Sequence, residues 1–360
     1  MMSNIKHLYI HVPFCKSICS YCDFCHRVYD ENLVNKWLDT IKLEINDKCR
    51  DDYETIYIGG GSPTSLNNFQ LEQLLSFIQQ YSNKVIEYTI EVNPDSLNME
   101  KINLFKKYGI NRISMGVQSS NDDELILLNR KHNFEDVREK INLLKQNGLF
   151  NISIDLMYSL PNQTIKSLNK TLDDFISLDI PHVSLYSLTI EENSIFAKKG
   201  YKPLDNDIEA DMYELICNRL KENGYKHYEV SNFTKESYES KHNMAYWDYD
   251  DFLGISMSAS SKVADKRWTN TRNFNEYFND YNAKDEDISL SIDDMKFENI
   301  MMSLRTSKGL NIDNFNKRYN CDLLDEYSNS IKDNNLDFSD GYLKAVNLGI
   351  LNSTLIKFIK

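Results

Sequence analysis

The sequence predicts an α/β fold: a partial, open (β/α)6 barrel of the TIM type, followed by a small α+β domain. Between residues 7 and 190, six short runs rich in β-branched and aromatic residues alternate with longer amphipathic stretches. This alternation is typical of a parallel sheet with helical crossovers. Polar or glycine-rich residues follow every run. The 360 residues of the chain are enough for one large domain and a smaller one.

Six strands and five intervening helices make up the predicted barrel. The strands are expected at His7–Val12, Thr55–Ile58, Val85–Val92, Arg112–Val117, Asn151–Leu156 and His182–Leu188. The helices are expected at Leu33–Asp47, Asn68–Tyr81, Met99–Tyr108, Phe134–Asn147 and Ile165–Leu178. In the fourth helix, Val137, Ile141 and Leu144 recur at the steps that an amphipathic helix requires. A closed barrel of eight units needs about 250 residues, so six units predict an open one.

Three cysteines lie directly after the first predicted strand. Cys15, Cys19 and Cys22 have the spacing Cys-x3-Cys-x2-Cys. Three thiolates can hold a [4Fe–4S] cluster and leave its fourth iron without a protein ligand. Because an open iron can bind a substrate or a cofactor, this spacing indicates chemistry more than electron storage. The alternative is that three cysteines share an oxidised or buried loop.

The ends of the predicted strands carry the other candidate site residues. In parallel sheets of this kind, functional groups lie at the carboxyl ends of the strands. The segments at these ends are the cysteine loop, Gly59–Thr64, Glu91–Pro94, Gly116–Ser119, Asp155 and Tyr186–Thr189. They predict a single site on one face. The glycine run is either a tight turn or a close approach of the backbone to a ligand, with free N–H groups as donors.

The cysteine spacing and its flanks resemble a known superfamily. The spacing is similar to the cluster motif of the radical S-adenosylmethionine (SAM) enzymes, and YIHVPFC with Asp23-Phe24 resembles the HemN/HemW branch. That branch contains the oxygen-independent coproporphyrinogen III dehydrogenase and the haem chaperone HemW. The resemblance implies that SAM binds the open iron through its amino and carboxylate groups. It also implies that one electron from the cluster breaks a carbon–sulfur bond to give a 5′-deoxyadenosyl radical.

The resemblance assigns roles to individual residues. It implies that the cluster is held by Cys15, Cys19 and Cys22, and that the cofactor is contacted by Tyr9, Tyr21, Gly60, Gly61, Ser62, Glu91, Gln118, Arg130 and Asp155. Glu91 and Asp155 are either surface carboxylates or partners of the ribose hydroxyls or the amino group of SAM. Arg130 is either an ordinary polar residue or a partner of the SAM carboxylate. MGVQS, NRKHN, IDLMYSLPNQT and HVSLYSLTIEENSIF also follow the branch, so the resemblance covers almost the whole chain.

The pattern changes after about residue 205. Ile208–Asn223 predicts a helix, and KHNMAYW follows at 241–247. His242 beside Tyr246 and Trp247 offers an axial nitrogen and stacking rings to a flat aromatic macrocycle. The alternative is a packing corner with a hydrogen-bonded histidine. Because YEVSNF followed by HNxxYW resembles HemW more than the dehydrogenase, the resemblance implies that His242 is the haem ligand.

A departure from the branch follows at residues 254–261, GISMSASS. Members of the branch usually carry a glycine-rich GxGAHS-type loop here. Two of its glycines are serines in this chain, and Ser260 stands where the histidine would be. Serine is a far weaker iron ligand than imidazole. If that histidine contacts the tetrapyrrole or SAM, weaker binding of either is expected in this chain.

Residues 285–360 are expected to form a separate small unit. Its predicted elements are the helices Asp293–Arg305, Ile312–Tyr319 and Asp322–Lys332, a polar turn Asn334–Asp340, a strand Tyr342–Val346 and a final helix Asn347–Ile359. They resemble the branch's winged-helix-like C-terminal domain, which is interpreted as a lid or packing module without a DNA role. The predicted domains are 1–205 for the barrel, 206–284 for an extension with HNxxYW, and 285–360 for this unit.

Composition limits the class of protein. With 54 acidic and 41 basic residues and a formal net charge of −13, the chain is a poor candidate for phosphate contacts with nucleic acid. No run of 18 apolar residues predicts a transmembrane helix. Met1–Lys6 lacks a signal-peptide core, so the cytoplasm is the expected location. Seven cysteines with one tight cluster favour a metal site over disulfides there.

Two functions follow from the resemblance. The first is a HemW-like chaperone that binds haem and delivers it to target proteins. The alternative is the dehydrogenase, which converts coproporphyrinogen III to protoporphyrinogen IX by oxidative decarboxylation. Cys15 comes almost at the start of the chain, and Phe24 stands where the dehydrogenase has a fourth cysteine, with Cys25 one residue later. Both features favour HemW. A radical SAM enzyme for an unrelated substrate is a third option.

The resemblance also implies cofactors and partners. The cofactors are a [4Fe–4S] cluster, SAM and haem. The partners are haem or another tetrapyrrole, a haem-accepting target protein, and an electron donor such as a flavodoxin or a ferredoxin. No nucleic acid is expected, and a peripheral membrane contact is left open. No residue is assigned to catalysis, because the sequence does not show whether SAM is cleaved or only bound.

Overall fold

The computed structural model describes residues 5–50 and 53–359. Most of Met1–Lys6, on which the expectation about a signal peptide rests, lies outside the described residues. At its centre are six parallel strands, β1 to β6, that lie side by side in chain order. Their bounds are His7–Val12, Thr55–Gly60, Glu87–Val92, Arg112–Gln118, Ile152–Tyr158 and His182–Ser187. The predicted parallel sheet is confirmed, with differences of one or two residues at most strand ends.

Helices connect the successive strands. Helices α1 to α6 are Glu31–Lys48, Asn68–Ile78, Met99–Lys107, Asp122–Leu127, Phe134–Gln146 and Ile165–Ser177. All five predicted helices are confirmed, whereas α4 is absent from the prediction because six residues are too short to show a helical period. Four more helices, α7 to α10, are Ile195–Lys198, Asn206–Glu222, Lys241–Trp247 and Phe274–Asn279. Within the described residues, no helix combines the length and the apolar character that a bilayer span requires.

Six further strands, β7 to β12, extend the sheet at both edges. They are Lys226–Glu229, Asn232–Thr234, Phe252–Ile255, Ser260–Val263, Lys266–Asn270 and Lys284–Ser289. The order across the sheet is β12-β11-β10-β9-β1-β2-β3-β4-β5-β6-β8-β7, and β9 runs parallel to β1. Strands β9 to β12 are absent from the sequence-based prediction, because short strands joined by tight turns leave little periodicity to detect.

The loop between β9 and β10 keeps a glycine-like backbone although it contains serines. Ser256 and Ser258 have φ angles of 82° and 61°, in the left-handed region that favours glycine. Gly254 has no room for a side chain, because a Cβ atom there would lie 2.1 Å from the carbonyl oxygen of Ser260. Ser260 itself is exposed, and its hydroxyl hydrogen-bonds that of Thr269 at 2.9 Å. The position of the branch's histidine therefore faces solvent in this chain.

A buried glutamate fastens α1 to this extension of the sheet. Glu44 is fully buried, and its carboxylate accepts hydrogen bonds from the Tyr277 hydroxyl at 2.7 Å and the Ser256 N–H at 2.9 Å. Lys48 donates to the same carboxylate at 2.9 Å, and Asn270 donates at 3.3 Å. Since buried charges are tolerated only when they are paired and hydrogen-bonded, these four donors explain how the carboxylate is accommodated.

The C-terminal unit combines four helices, α11 to α14, with a three-stranded sheet, β13 to β15. The helices are Ile292–Ser303, Ile312–Tyr319, Leu323–Glu326 and Leu351–Leu355, and the strands are Leu310–Asn311, Leu336–Ser339 and Tyr342–Ala345. Its apolar residues form their own core, which includes Phe315, Leu323 and Leu343. The three domain boundaries given above stay predictions.

Three expectations for this unit are wrong. The predicted helix Asp322–Lys332 is only α13, followed by a 3-10 turn at Ser330–Lys332. The predicted polar turn Asn334–Asp340 contains strand β14, because its pairing with β15 outweighs the polar local sequence. The predicted final helix Asn347–Ile359 is only α14 flanked by two 3-10 turns. Gly349 and the Ser353-Thr354 pair lower the helix propensity of that segment.

The contacts of Glu44 lead to a stability prediction. Replacing Glu44 by Ala should lower the free energy of unfolding by about 3 kcal/mol, because it leaves Lys48 and three buried donors without their acceptor. Urea unfolding measures this change. The control is Glu72→Ala, which removes an exposed pair with Lys107 (2.5 Å) and should cost less than about 1 kcal/mol. Equal losses in the two variants would contradict the proposed role of Glu44.

Candidate functional site

A pocket of about 390 Å³ lies at the carboxyl ends of the parallel strands. It brings together most of the residues predicted from the sequence: Cys15, Cys19, Cys22, Tyr21, Gly60, Gly61, Ser62, Glu91, Gln118, Arg130 and Asp155. The segments after all six strands therefore converge on one site, as expected from the direction of the strands. The roles of the individual side chains stay predictions.

Hydrogen bonds fix the cysteine loop, which joins β1 to α1. The Tyr29 N–H donates to the Cys15 carbonyl at 2.8 Å, and the Ser20 N–H donates to the Leu128 carbonyl at 3.0 Å. The side chain of Asn129 donates to the Ile18 carbonyl at 2.7 Å. The loop is thus closed by a hydrogen bond between its own residues and held against the segment after α4, and its three thiols line the pocket.

The three thiols fit a cluster better than a single ion. In the described part of the chain, no three Cys, His, Asp or Glu side chains are grouped closely enough to ligate one metal ion. Cluster ligands stand further apart, since each binds a different iron. Burial raises the pKa of Cys15 to about 12 and that of Cys22 to about 11. A metal that binds these sulfurs must therefore displace their protons, as coordinated thiols do.

Arg130 joins the cysteines to the strand ends. One of its terminal nitrogens donates to the Cys19 sulfur at 3.4 Å, and the other donates to the Asn93 amide oxygen at 2.7 Å and to the Gly116 carbonyl. Its buried Nε has no partner among the described residues. Arg130 lines the pocket, and its guanidinium fits an anionic group of a cofactor, such as a carboxylate.

Packing requires the three glycines Gly59, Gly60 and Gly61 at the end of β2. A Cβ atom on Gly59 would lie 2.8 Å from Glu91 Oε1, one on Gly60 would lie 2.7 Å from the His11 ring, and one on Gly61 would lie 2.7 Å from the Phe14 carbonyl oxygen. The Gly60 N–H donates to Glu91 at 3.0 Å, and the Gly61 N–H donates to the Val12 carbonyl at 2.8 Å. The expectation of free N–H donors is therefore wrong for Gly60 and Gly61.

Two buried carboxylates line the pocket. Burial raises the pKa of Glu91 to about 7, although hydrogen bonds from the Tyr57 hydroxyl and the Gly60 N–H oppose this shift. Burial also raises the pKa of Asp155 to about 6, against hydrogen bonds from Ser184 and Ser114. A bound cation or hydroxyl donor would stabilise the charged forms, so both groups suit a polar, partly cationic ligand.

The backbone at Gln118 is strained where β4 enters the pocket. Gln118 has a φ of 75°, which is rare for a residue with a side chain. The register between β4 and β5 shifts between Gly116 and Gln118. Such bulges redirect side chains next to binding sites. Gln118, which lies at this bulge, lines the pocket.

Tyr9 and His11 lie behind the pocket. Tyr9 is half-buried and is not among the pocket-lining residues; its ring centre is 6.1 Å from that of Tyr57. The Tyr9 hydroxyl donates to Nδ1 of His11 at 3.0 Å, and Nε2 of His11 donates to the Cys25 carbonyl at 3.0 Å. Burial lowers the pKa of His11 to about 4, so the ring is neutral. Tyr9 can therefore act on the cysteine loop through His11, and its direct contact with a cofactor stays a prediction.

The structure does not bring His242 to this pocket. His242 is 1% exposed, and its ring hydrogen-bonds the Thr55 hydroxyl through Nδ1 at 2.7 Å and the Tyr246 hydroxyl through Nε2 at 2.7 Å. Thr55 is the first residue of β2, so this group lies at the amino ends of the strands. Both ring nitrogens are engaged, and iron binding by His242 stays a prediction that requires one of these hydrogen bonds to break.

The fourth thiol of the cysteine loop, that of Cys25, is also directed away from the pocket. Cys25 is not among the pocket-lining residues, and its sulfur donates to the Arg272 carbonyl at 3.6 Å. Phe24, at the position of the dehydrogenase's fourth cysteine, lines the pocket and is 70% exposed. The described structure therefore offers three thiols to the pocket from this loop.

Two pocket residues, Asn93 and His26, are given no role by the sequence, although Asn93 lies in the predicted segment Glu91–Pro94. Asn93 bridges two predicted residues, because its amide donates to the Ser62 hydroxyl at 3.0 Å and accepts from Arg130. Its position directly after β3 is the signal that could have identified it. His26 lies 3.7 Å from the Cys22 sulfur through Nδ1, but nothing in its local sequence distinguishes it from a surface histidine.

Comparisons with known proteins agree with this architecture. A model of the radical SAM superfamily matches residues 9–175. The heme chaperone HemW of Lactococcus lactis is 35% identical over 92% of this chain and 89% of its own length. The heme chaperone HemW of Bacillus subtilis is 33% identical over 91% of each.

A solved structure has the same fold over nearly the whole chain. Coproporphyrinogen III oxidase (HemN) from Escherichia coli superimposes with a TM-score of 0.85, covering 98% of this chain and 89% of that one. At 23% identity it shows the fold alone. The radical SAM superfamily implies a [4Fe–4S] cluster and SAM. From its similarity to the curated relatives over most of its length, the chain belongs to the radical SAM superfamily and, within it, to the HemW family.

Proposed function

We propose that this protein is a haem chaperone that carries a [4Fe–4S] cluster and SAM, binds haem and delivers it to a target protein. The observation that carries the proposal is the similarity to curated heme chaperones over about nine tenths of both chains. The three-thiol pocket supports the cofactor part of the proposal. The recipient of haem is a haem-requiring protein, and a flavodoxin or a ferredoxin would reduce the cluster.

The pocket residues divide into two groups. Cys15, Cys19 and Cys22 would hold the cluster. Arg130, which donates to the sulfur of Cys19 and lines the pocket, would pair with the SAM carboxylate. Glu91 would accept from the amino group or the ribose of SAM. When bound and reduced, the cluster supplies one electron to SAM. Haem binding can be measured separately from the question of whether the chain cleaves SAM or only binds it.

The dehydrogenase is the alternative function. The fold of HemN supports it as a family relative, and the pocket could admit a substrate next to the thiols. Phe24 argues against it, because the dehydrogenase pattern has a cysteine at this position and Cys25 faces Arg272 instead. We therefore give precedence to the chaperone.

The cluster proposal predicts different outcomes for two cysteines of the same loop. Cys19→Ala should lose the broad visible absorbance of the reconstituted cluster and most of its iron. Cys25→Ala, the matched control, should keep about four irons per chain, because Cys25 does not line the pocket. Iron and sulfide analysis after anaerobic reconstitution measures both. A full cluster in Cys19→Ala would refute the assignment of the ligands.

The pKa of Glu91 predicts how SAM binding depends on pH. Burial raises the pKa of Glu91 to about 7, so the side chain is neutral below that pH and a carboxylate above it. SAM affinity should therefore rise as the pH increases from about 6 to about 8. Glu91→Gln should lower the affinity about tenfold and remove this dependence. Glu229→Gln is the control, since Glu229 is buried with a pKa of about 7 but does not line the pocket. Calorimetry at several pH values tests this, and a pH-independent wild type would contradict it.

The chaperone proposal predicts binding and release of haem without conversion of a porphyrin. The reconstituted protein should bind haem, seen as a shifted Soret band, and pass it to apomyoglobin. Coproporphyrinogen III incubated with SAM and a reductant should keep its mass. Protoporphyrinogen formed together with an equal amount of 5′-deoxyadenosine would instead identify the dehydrogenase.

A further inference from the structure

Asn93 lies between two residues that are expected to bind SAM, and the proposed function gives it no role. It follows β3 directly and lines the cysteine pocket together with Ser62 and Arg130. Its amide nitrogen donates to the Ser62 hydroxyl at 3.0 Å, and its amide oxygen accepts from Arg130 at 2.7 Å. Because one end of an asparagine amide donates and the other accepts, these two partners fix the orientation of the amide.

The backbone of Asn93 is fixed as well. Its N–H donates to the Thr64 hydroxyl oxygen at 3.2 Å, and its carbonyl accepts from the Ser96 N–H at 3.1 Å. The hydroxyls of Thr64 and Ser96 are hydrogen-bonded to each other at 2.6 Å. These contacts join the segment after β2 to the segment after β3, so Asn93 occupies a fixed place between the two.

A buried lysine supports the same two segments from α3. Lys101 is 4% exposed, and its Nζ donates to the Thr64 carbonyl at 2.5 Å and to the Ser96 carbonyl at 2.9 Å. A buried ammonium group is costly unless hydrogen bonds satisfy it, so Lys101 and the two carbonyls hold one another in place. The backbone that carries Asn93 is therefore ordered before a ligand binds.

This order matters for Arg130, because its long side chain has several rotatable bonds. The guanidinium is held by three partners: the Cys19 sulfur at 3.4 Å, the Gly116 carbonyl and the amide oxygen of Asn93. Ordering such a side chain during binding costs free energy, and a side chain that is already ordered avoids that cost. Asn93 fixes the direction of one terminal nitrogen of Arg130 and thereby the place where a carboxylate can pair with it.

We propose that Asn93 is a positioning residue for the amino-acid end of SAM, and that it acts by holding Arg130 and Ser62 in the orientation that receives this end. The inference rests on the SAM binding included in the proposed function and adds a residue to it. Its consequence is selectivity: loss of the Asn93 amide weakens the binding of ligands that carry the amino and carboxylate groups, and it leaves the binding of ligands without them unchanged.

Anaerobic calorimetry with the full, cluster-reconstituted chain tests the proposal. Asn93→Ala should weaken SAM binding about tenfold, because Arg130 loses the side-chain oxygen that orients it. Binding of 5′-methylthioadenosine, which has the nucleoside but no amino-acid end, should change by less than about twofold. Adding Asn93→Ala to Arg130→Met should also change SAM affinity by less than about twofold, because the residue through which Asn93 acts is already absent.

Asn111→Ala is the matched control. The Asn111 side chain also makes two hydrogen bonds, with the Tyr88 N–H at 2.8 Å and the Ile86 carbonyl at 3.1 Å. It lies directly before β4, at the opposite end of the strand from the pocket. The SAM affinity of this variant should therefore stay within about twofold of the wild-type value.

The outcomes separate the role of Asn93 from the proposed function. Wild-type SAM affinity in Asn93→Ala, confirmed as folded by its melting temperature, would overturn the proposal. If that variant does not fold, the same result in Asn93→Ser, whose shorter side chain loses the contact with Arg130, would overturn it. Equal losses for SAM and 5′-methylthioadenosine, or a full loss in the Arg130→Met background, would also overturn it, because both indicate general damage to the pocket. A wild type that binds no SAM would instead refute the cofactor part of the proposed function.

Discussion

The absence of space at Gly59–Gly61 is the constraint on which the cysteine pocket depends. Three elements meet there: strand β2, the cysteine loop and Glu91. A side chain on any of the three glycines would collide with Glu91, with His11, or with the backbone at Phe14 and the Cys15 sulfur. The Gly61 N–H then ties β2 to the carbonyl of Val12 at the end of β1. Because this hydrogen bond joins backbone atoms of two neighbouring strands, the rigid sheet fixes the position from which the cysteine loop begins.

Inside the barrel, a series of hydrogen bonds and ring contacts connects the carboxyl ends of the strands with their amino ends. Glu91 accepts from the Tyr57 hydroxyl, and the ring of Tyr57 lies 5.2 Å from that of His242. His242 in turn reaches His7 through Thr55. Burial lowers the pKa of His242 to about 3, so the ring stays neutral and its hydrogen bonds persist over the physiological pH range. Contacts through the barrel thus connect the cysteine pocket with the amino ends of the strands.

The sequence predicts the barrel and its pocket well because both depend on local pattern and chain direction. Strand β1 is predicted to the residue, and the residues after each strand converge because parallel strands end on the same face. Other features depend on contacts between distant segments. Strands β9 to β12 and β14 exist through pairing, and the ring of His242 is hydrogen-bonded to Thr55, which lies 187 positions away. Neither a hydrophobic period nor a motif contains that information.

The most direct measurement is the location of iron in crystals of the reconstituted protein, by anomalous scattering at the iron edge. We expect the iron peaks of a cluster beside Cys15, Cys19 and Cys22 in the pocket at the carboxyl ends of the strands. Iron bound by Cys25, or no iron in this pocket, would contradict the assignment of three thiols to the cluster.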